Sequence, residues 1–102
     1  MEEIAPGRLI ETYREPGPNS RSIGVTLHPD GSVGIDQQDM GPAVEQCFGD
    51  SDYERWTIVP AAEVGRLAAA LLVEKFEGRV DAVDAFSAFC RAHDIAAEGG
   101  SY

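Results

Sequence analysis

The chain has 102 residues, of which 43% are hydrophobic, and its 18 acidic residues against 8 Lys and Arg give a formal charge of −10. This length suits one domain with a single core and is too short for two, and the apolar fraction excludes global disorder. The negative charge disfavours direct binding to nucleic acid or anionic membranes and favours a basic protein partner.

The start of the chain and its cysteines indicate a cytoplasmic protein. The Met-Glu-Glu start is unlike a signal peptide, and no apolar run approaches the length of a membrane span. Neither Cys47 nor Cys90 belongs to a Cys-x-x-Cys pair, so both are expected to be free thiols in a reducing compartment. A single disulfide between them is the alternative.

The first third of the chain predicts strands. Residues 8–14 are typical of an edge strand, and residues 15–22, rich in Pro, Gly, Asn and Ser, predict a mobile connection. Residues 23–28 alternate apolar with small or polar side chains, and residues 33–35 resume this alternation. Between them, Pro29-Asp30-Gly31 fits a three-residue hairpin loop with Gly31 in the left-handed position.

This hairpin would have one apolar face and one nearly bare face. On the apolar face we expect Leu27 to lie opposite Val33 and Val25 opposite Ile35. The other face would hold Gly24, Thr26, Gly34 and Asp36. Two glycines inside strands indicate a twist, a bulge or the close approach of another backbone, from this chain or from a partner.

The middle of the chain is expected to return to the sheet through a short helix. Residues 36–41 predict a polar loop, and Pro42 to Phe48 predict a helix that begins at proline. Residues 53–59 predict a strand with Trp56 and Ile58 directed into the core.

Helices are predicted for the last part of the chain. The apolar positions from Ala61 to Phe76 follow helical periodicity closely, and Gly78 provides a stop. A final helix from Ala82 to about His93 would be capped by Asp81. Residues 1–7 and 97–102 are expected to be loosely ordered.

The predicted fold is therefore α+β, with element order β-β-β-α-β-α-α in a single domain, residues 1–102. An antiparallel sheet of about four strands is expected, with the helices packed on one face.

The acidic middle of the chain is the candidate binding surface. Between Asp30 and Glu54 there are seven acidic residues and no basic one. After residues with a structural role are set aside, two acidic loops at either end of the short helix remain. Their binding residues would be Asp36, Gln37, Gln38, Asp39, Asp50, Asp52, Tyr53 and Glu54. Tyr53 is the expected exposed anchor, since aromatic side chains concentrate binding energy.

Metal and catalytic sites have less support from the sequence. Residues 50–54 begin like a calcium loop, but Arg55 and Ala61 stand where that loop needs Gly and Glu. Cys90 and His93 share a helix face, yet zinc needs a second close pair of ligands. No nucleotide-binding loop or nucleophile elbow occurs, so we predict a protein that is not an enzyme and needs no cofactor.

The segments Asp-Gly-Ser-Val-Gly-Ile-Asp-Gln-Gln-Asp-Met-Gly-Pro-Ala-Val-Glu-Gln and Phe-Gly-Asp-Ser-Asp-Tyr-Glu-Arg-Trp resemble small uncharacterised acidic bacterial proteins. The resemblance covers about the middle third of the chain and implies no activity. In size and charge the chain also resembles bacterial immunity proteins and phage-encoded inhibitors.

Three functional hypotheses follow. The first is a cytoplasmic protein-binding domain, of the immunity or inhibitor type, whose acidic segment faces a basic partner surface. The second is a small enzyme or metal-binding protein that uses the same carboxylates with His28 or Cys47. The third is a homodimer joined through the glycine-bearing face of the sheet.

Overall fold

The computed structural model describes residues 4–43, 46 and 52–101. These residues form two compact units, a sheet unit from Ala5 to Val64 and a helical unit that comprises Ile4 and the residues from Gly65 onward. None of the helices in these ranges is long and apolar enough to cross a bilayer.

The sheet unit is a four-stranded antiparallel meander with strand order β1-β2-β3-β4. Its strands are β1 (Leu9–Glu15), β2 (Ser20–Leu27), β3 (Val33–Met40) and β4 (Asp52–Val59). The predicted α+β class and antiparallel sheet are confirmed. The packing of the helices on one face of that sheet stays a prediction, as does the single domain.

The β2–β3 hairpin has the predicted register. Leu27 pairs with Val33 and Val25 with Ile35. At the turn, the Gly31 N–H donates to the His28 carbonyl at 2.9 Å, and Gly31 has a φ of 90°. Its positive φ is the conformation that glycine adopts without steric cost, so the Pro29-Asp30-Gly31 loop is confirmed.

Residues 36–39 are not the predicted loop, because β3 continues through them to Met40. Likewise, β2 begins at Ser20, inside the stretch predicted as a mobile connection. Asp has low strand propensity, but here β2 and β4 flank β3 and pair with its backbone on both sides. An ion pair between Arg21 and Asp39 also links β2 to β3. These non-local contacts outweigh the local preference for a loop.

The turn after β3 is fastened to the turn before β2. The Ala43 N–H donates to the Asn19 Oδ1 at 2.9 Å, and Gly41 has a φ of 128°. Pro42, Ala43 and Gln46 have helical backbone, in agreement with the predicted helix start. The rest of that predicted helix, with Gly49, lies outside the described residues.

After β4 the chain forms a short 3-10 turn over Ala61–Glu63, then α1 (Val64–Phe76) and α2 (Ala82–Ala92). The helical unit holds α2 and the part of α1 from Gly65 onward. Gly78, with a φ of 75°, lies just beyond the end of α1, as predicted. The Phe76 and Phe86 rings lie 5.8 Å apart and join the two helices. Cys90, in α2, is a free thiol as expected, and it is buried, with 4% of its surface exposed.

The predicted side-chain cap of α2 is wrong. Asp81 occupies the position before the helix, but its carboxylate makes no capping hydrogen bond. It instead accepts from the Arg79 guanidinium at 3.0 and 2.8 Å, and this pairing lowers the pKa of Asp81. A bidentate guanidinium is a stronger donor than a single backbone N–H, so the carboxylate turns away from the helix start.

Candidate functional site

The two faces of the sheet differ sharply in what they carry. In an antiparallel sheet, directly paired residues share a face, so the register assigns each side chain to one side. We call the side that holds Gly24 and Gly34 the glycine face, and the other side the opposite face. On the glycine face, directly paired residues form rows that cross the sheet from β1 to β4. One row is Glu11, Gly24, Asp36 and Trp56, and the next is Arg14, Ser22, Gln38 and Glu54. On the other side of the first row lies the row Leu9, Thr26, Gly34 and Ile58.

A concavity of about 210 Å³ lies on the glycine face. It forms because β2 contributes only small side chains there, Gly24 and Ser22, while longer side chains rise from its neighbours on each side. Its other glycine-face lining residues are Leu9, Glu11, Arg14, Asp36, Gln38, Glu54 and Trp56. The bare face predicted from the two glycines is thus the floor of a depression.

The carboxylates around this concavity are not equivalent. Glu11 accepts from Arg14 within β1, with 2.5 Å between the Arg14 Nε and the Glu11 Oε1. Asp36 and Glu54 make no side-chain hydrogen bond or ion pair to any of the described residues. Asp36 lies opposite Trp56, and Glu54 lies opposite Gln38, so the two carboxylates are diagonal neighbours across β3 and β4.

Trp56 is the cross-strand partner of Asp36, lies two residues beyond Glu54 on the same face of β4, and is 63% exposed. The prediction that Trp56 and Ile58 enter the core is therefore wrong, since Ile58 is also 47% exposed. The predicted alternation of β4 is correct, with both side chains on one side, but that side is the open glycine face. An exposed indole beside unpaired carboxylates is an arrangement that binds cations, through the ring face and through charge-assisted hydrogen bonds.

The opposite face carries an acidic residue that is already neutralised. Asp39 accepts from the Arg21 Nε at 2.7 Å and Nη2 at 3.0 Å, and from the Gln37 Nε2 at 3.1 Å. The Arg21 hydrogen bond, with a smaller contribution from Gln37, holds the pKa of Asp39 below its ordinary value of 3.8. Tyr53, directly across from Asp39 on β4, shares this face.

The eight predicted binding residues therefore do not form one acidic surface. The residues at 36–39 and 52–54 lie in strands, and strand alternation divides them between the two faces. Asp36, Gln38 and Glu54 meet at the concavity, and Asp52 lies on the same face opposite Met40. Gln37, Asp39 and Tyr53 lie on the opposite face, and Asp50 is outside the described residues.

Sequence reasoning missed Trp56 as the centre of this surface. The available signal was the pair of glycines in β2 and β3, because a strand face without side chains leaves its neighbours uncovered. Large aromatic residues are well buried on average, so the sequence alone predicts that Trp56 lies in the core.

The described residues considered for metal binding do not form a metal site. Within the ranges that the structure describes, no three His, Cys, Asp or Glu side chains are close enough to share an ion. The His93 ring lies 4.3 Å from the Phe89 ring at the end of α2. Cys47, the other thiol considered, lies outside the described residues.

The Arg21–Asp39 ion pair is expected to make the free energy of unfolding depend on pH in the acid range. The pKa of Asp39 is lower in the folded protein than in the unfolded chain. The ion pair therefore stabilises the folded protein at pH values above the pKa that Asp39 has in the unfolded chain. This stabilisation is lost as the pH falls through the pKa that Asp39 has in the folded protein. We expect D39N to lower the free energy of unfolding by about 0.5–1 kcal/mol near pH 7 and by less near pH 3, where Asp39 of the unfolded chain is mostly protonated. Urea unfolding of both proteins, followed by circular dichroism at each pH, measures the difference.

D36N is the matched control, because Asp36 lies in the same strand and has no ion pair among the described residues. We expect D36N to change stability by less than about 0.5 kcal/mol at either pH. An equal loss in both variants would show that the Arg21 contact is not the cause.

No family model matches the sequence, no curated protein matches it, and no solved structure matches its fold. The function is therefore inferred from the geometry of the glycine face.

Proposed function

We propose that the protein is a binding module whose glycine face receives a cationic segment of a protein partner. One observation carries this proposal. Asp36 and Glu54, both without a partner among the described residues, are neighbours of the exposed Trp56 on the glycine face, and all three line the same concavity. The immunity or inhibitor role suggested by size and charge is one form of this function, in the cytoplasm, with a basic protein as the target.

Electrostatics supports a cation over other ligands. Diagonal neighbours on adjacent strands lie about 7–8 Å apart, so Asp36 and Glu54 repel each other by about 0.5 kcal/mol even in water. A guanidinium or ammonium placed between them removes this repulsion and gains two attractive contacts. The formal charge of −10 acts at longer range and steers a basic partner towards the protein.

The chemistry of the concavity favours arginine over lysine. A guanidinium is planar, stacks on an indole face and donates to two carboxylates at once, whereas an ammonium is a compact charge that holds its water more strongly. Gln38 and Ser22 line the same concavity and offer further acceptors for its remaining N–H groups.

A synthetic heptapeptide tests the proposal. The probe is Arg-Thr-Arg-Thr-Arg-Thr-Arg with blocked ends, and its binding is followed by the fluorescence of Trp56, which is the only Trp in the chain. We expect saturable binding that weakens as salt is added. D36N/E54Q should bind about tenfold more weakly and with a shallower salt dependence, since two attractive contacts are lost.

W56A should bind the same peptide about fivefold more weakly, as measured by calorimetry, because the cation–π contact is lost. The matched control is D84N/E74Q, which makes the same charge change on the two helices. If this control weakened binding as much as D36N/E54Q, net charge rather than the glycine face would be responsible. If the parent protein failed to bind the peptide, the proposal would be wrong.

A further inference from the structure

We infer that the cationic segment binds in an extended conformation as a fifth strand along the outer edge of β4. This inference rests on the proposed function and adds the conformation and orientation of the bound partner. It is supported by the different regularity of the two sheet edges, by the side-chain pattern of β4 and by the length of an arginine side chain.

The two edges of the sheet are not equally open. On β1, the pairing with β2 shifts between Glu11 and Tyr13, which leaves Thr12 as an extra residue and bends the strand. Bulges of this kind protect an edge against pairing with another chain. In contrast, β4 pairs with β3 without a break from Asp52 to Val59, and no described strand covers its other side. A regular edge of eight residues offers a row of backbone donors and acceptors to an added strand.

The side chains of β4 specify what such a strand should carry. Along the glycine face β4 presents Asp52 and Glu54, then Trp56 and Ile58, which is an acidic half followed by an apolar half. The complementary strand has Arg or Lys opposite the acidic half. On the opposite face the only charged residue of β4 is Arg55, so a neutral or acidic residue suits the partner there.

Charge also distinguishes this occupant from a second copy of the chain. In an antiparallel pair of two β4 strands, directly opposed residues share a face. Arg55 lies on the opposite face from Asp52 and Glu54, so no such register places it across from either carboxylate. Self-pairing therefore adds carboxylates to one surface without neutralising them, whereas a basic strand neutralises them.

The added strand would lie close enough for its side chains to reach Asp36, Glu54 and Trp56. Neighbouring strands are about 4.8 Å apart, so a fifth strand would lie beside Glu54 and Trp56 and about 10 Å from the backbone at Asp36. An arginine side chain crosses most of this distance, and the Asp36 side chain covers the rest. The guanidinium would then pass over the Trp56 ring, with Glu54 beside it.

N-methylated peptides separate strand addition from side-chain binding alone. One version of the heptapeptide is N-methylated at every Arg and the other at every Thr. Because the N–H groups of alternate residues in a strand point to the same edge, each version loses the N–H groups along one edge and keeps the charges of the parent peptide. We expect one version to bind about tenfold more weakly than the parent and the other to bind almost as well, because only one edge faces β4. Amide hydrogen exchange should slow at alternate residues of β4 and stay unchanged in β1.

Other outcomes of these experiments would overturn either the strand addition or the proposed function. If both methylated peptides bound like the parent, or both lost affinity equally, strand addition would be wrong. The proposed function would still stand if D36N/E54Q weakened binding of the parent peptide. If the parent peptide did not bind, the proposed function would fail first. Sedimentation of the protein alone as two chains, with protected β4 amides, would identify a second copy as the occupant and overturn the inference.

Discussion

Replacement of Gly41 by Ala is expected to lower the free energy of unfolding by about 3 kcal/mol, through backbone strain and loss of a turn contact. Gly41 has a φ of 128°, which residues with a Cβ rarely adopt. The new Cβ would overlap the Pro18 carbonyl oxygen and lie 2.7 Å from the Asn19 Oδ1, the acceptor that holds the Ala43 N–H. Urea unfolding of G41A, followed by circular dichroism, measures the loss.

Gly17 provides a matched control for this prediction. It has the same φ of 128°, but a Cβ added there meets nothing within 4 Å. We expect G17A to cost about 1 kcal/mol, which is the conformational part alone. Equal losses in G17A and G41A would mean that the contact with Pro18 and Asn19 does not contribute.

The second large effect is expected at Gly34, in the interior of the sheet. A Cβ at this position would lie 3.0 Å from the Thr57 carbonyl oxygen and 3.0 Å from the Ile58 Cγ1. The carbonyl belongs to the backbone of β4, which cannot move without disturbing its pairing with β3. We expect G34A to lower the free energy of unfolding by about 2 kcal/mol, a typical cost of overpacking. Chemical unfolding of G34A measures this loss.

Gly24, on the same face, shows that the kind of neighbouring atom matters more than the shortest distance. A Cβ at Gly24 would lie 2.8 Å from the Leu9 Cγ, closer than any contact at Gly34, but all its near neighbours are Leu9 side-chain carbons. Leu9 is 50% exposed and can rotate away. We therefore expect G24A to cost only about 0.5 kcal/mol. A loss as large as that of G34A would contradict this reasoning.

G24A also connects stability to binding. Gly24 and Leu9 both line the concavity, so the added methyl group and the displaced Leu9 side chain would change its shape. The variant is therefore expected to remain folded and to bind the arginine peptide more weakly, which makes it a useful companion to D36N/E54Q. A folded G24A with unchanged affinity would show that the peptide does not enter the concavity.

The sequence by itself determined the β2–β3 hairpin and the two long helices of this protein. Period-two alternation predicted the pairs Leu27–Val33 and Val25–Ile35, and Gly31 identified the hairpin turn. Helical periodicity located α1 and α2 to within a few residues. These features follow from the order of neighbouring residues, because side-chain direction in a strand or helix repeats with a fixed period.

Only the tertiary structure decided which residues form the candidate site. A count of acidic residues does not separate Asp39, which is paired with Arg21, from Asp36, which has no partner among the described residues. Nor does the alternation of β4 show whether the side that holds Trp56 is covered or open. Both depend on which distant segments meet across the sheet. The sequence therefore predicted an acidic surface in general, and the register of the four strands selected Asp36, Glu54 and Trp56.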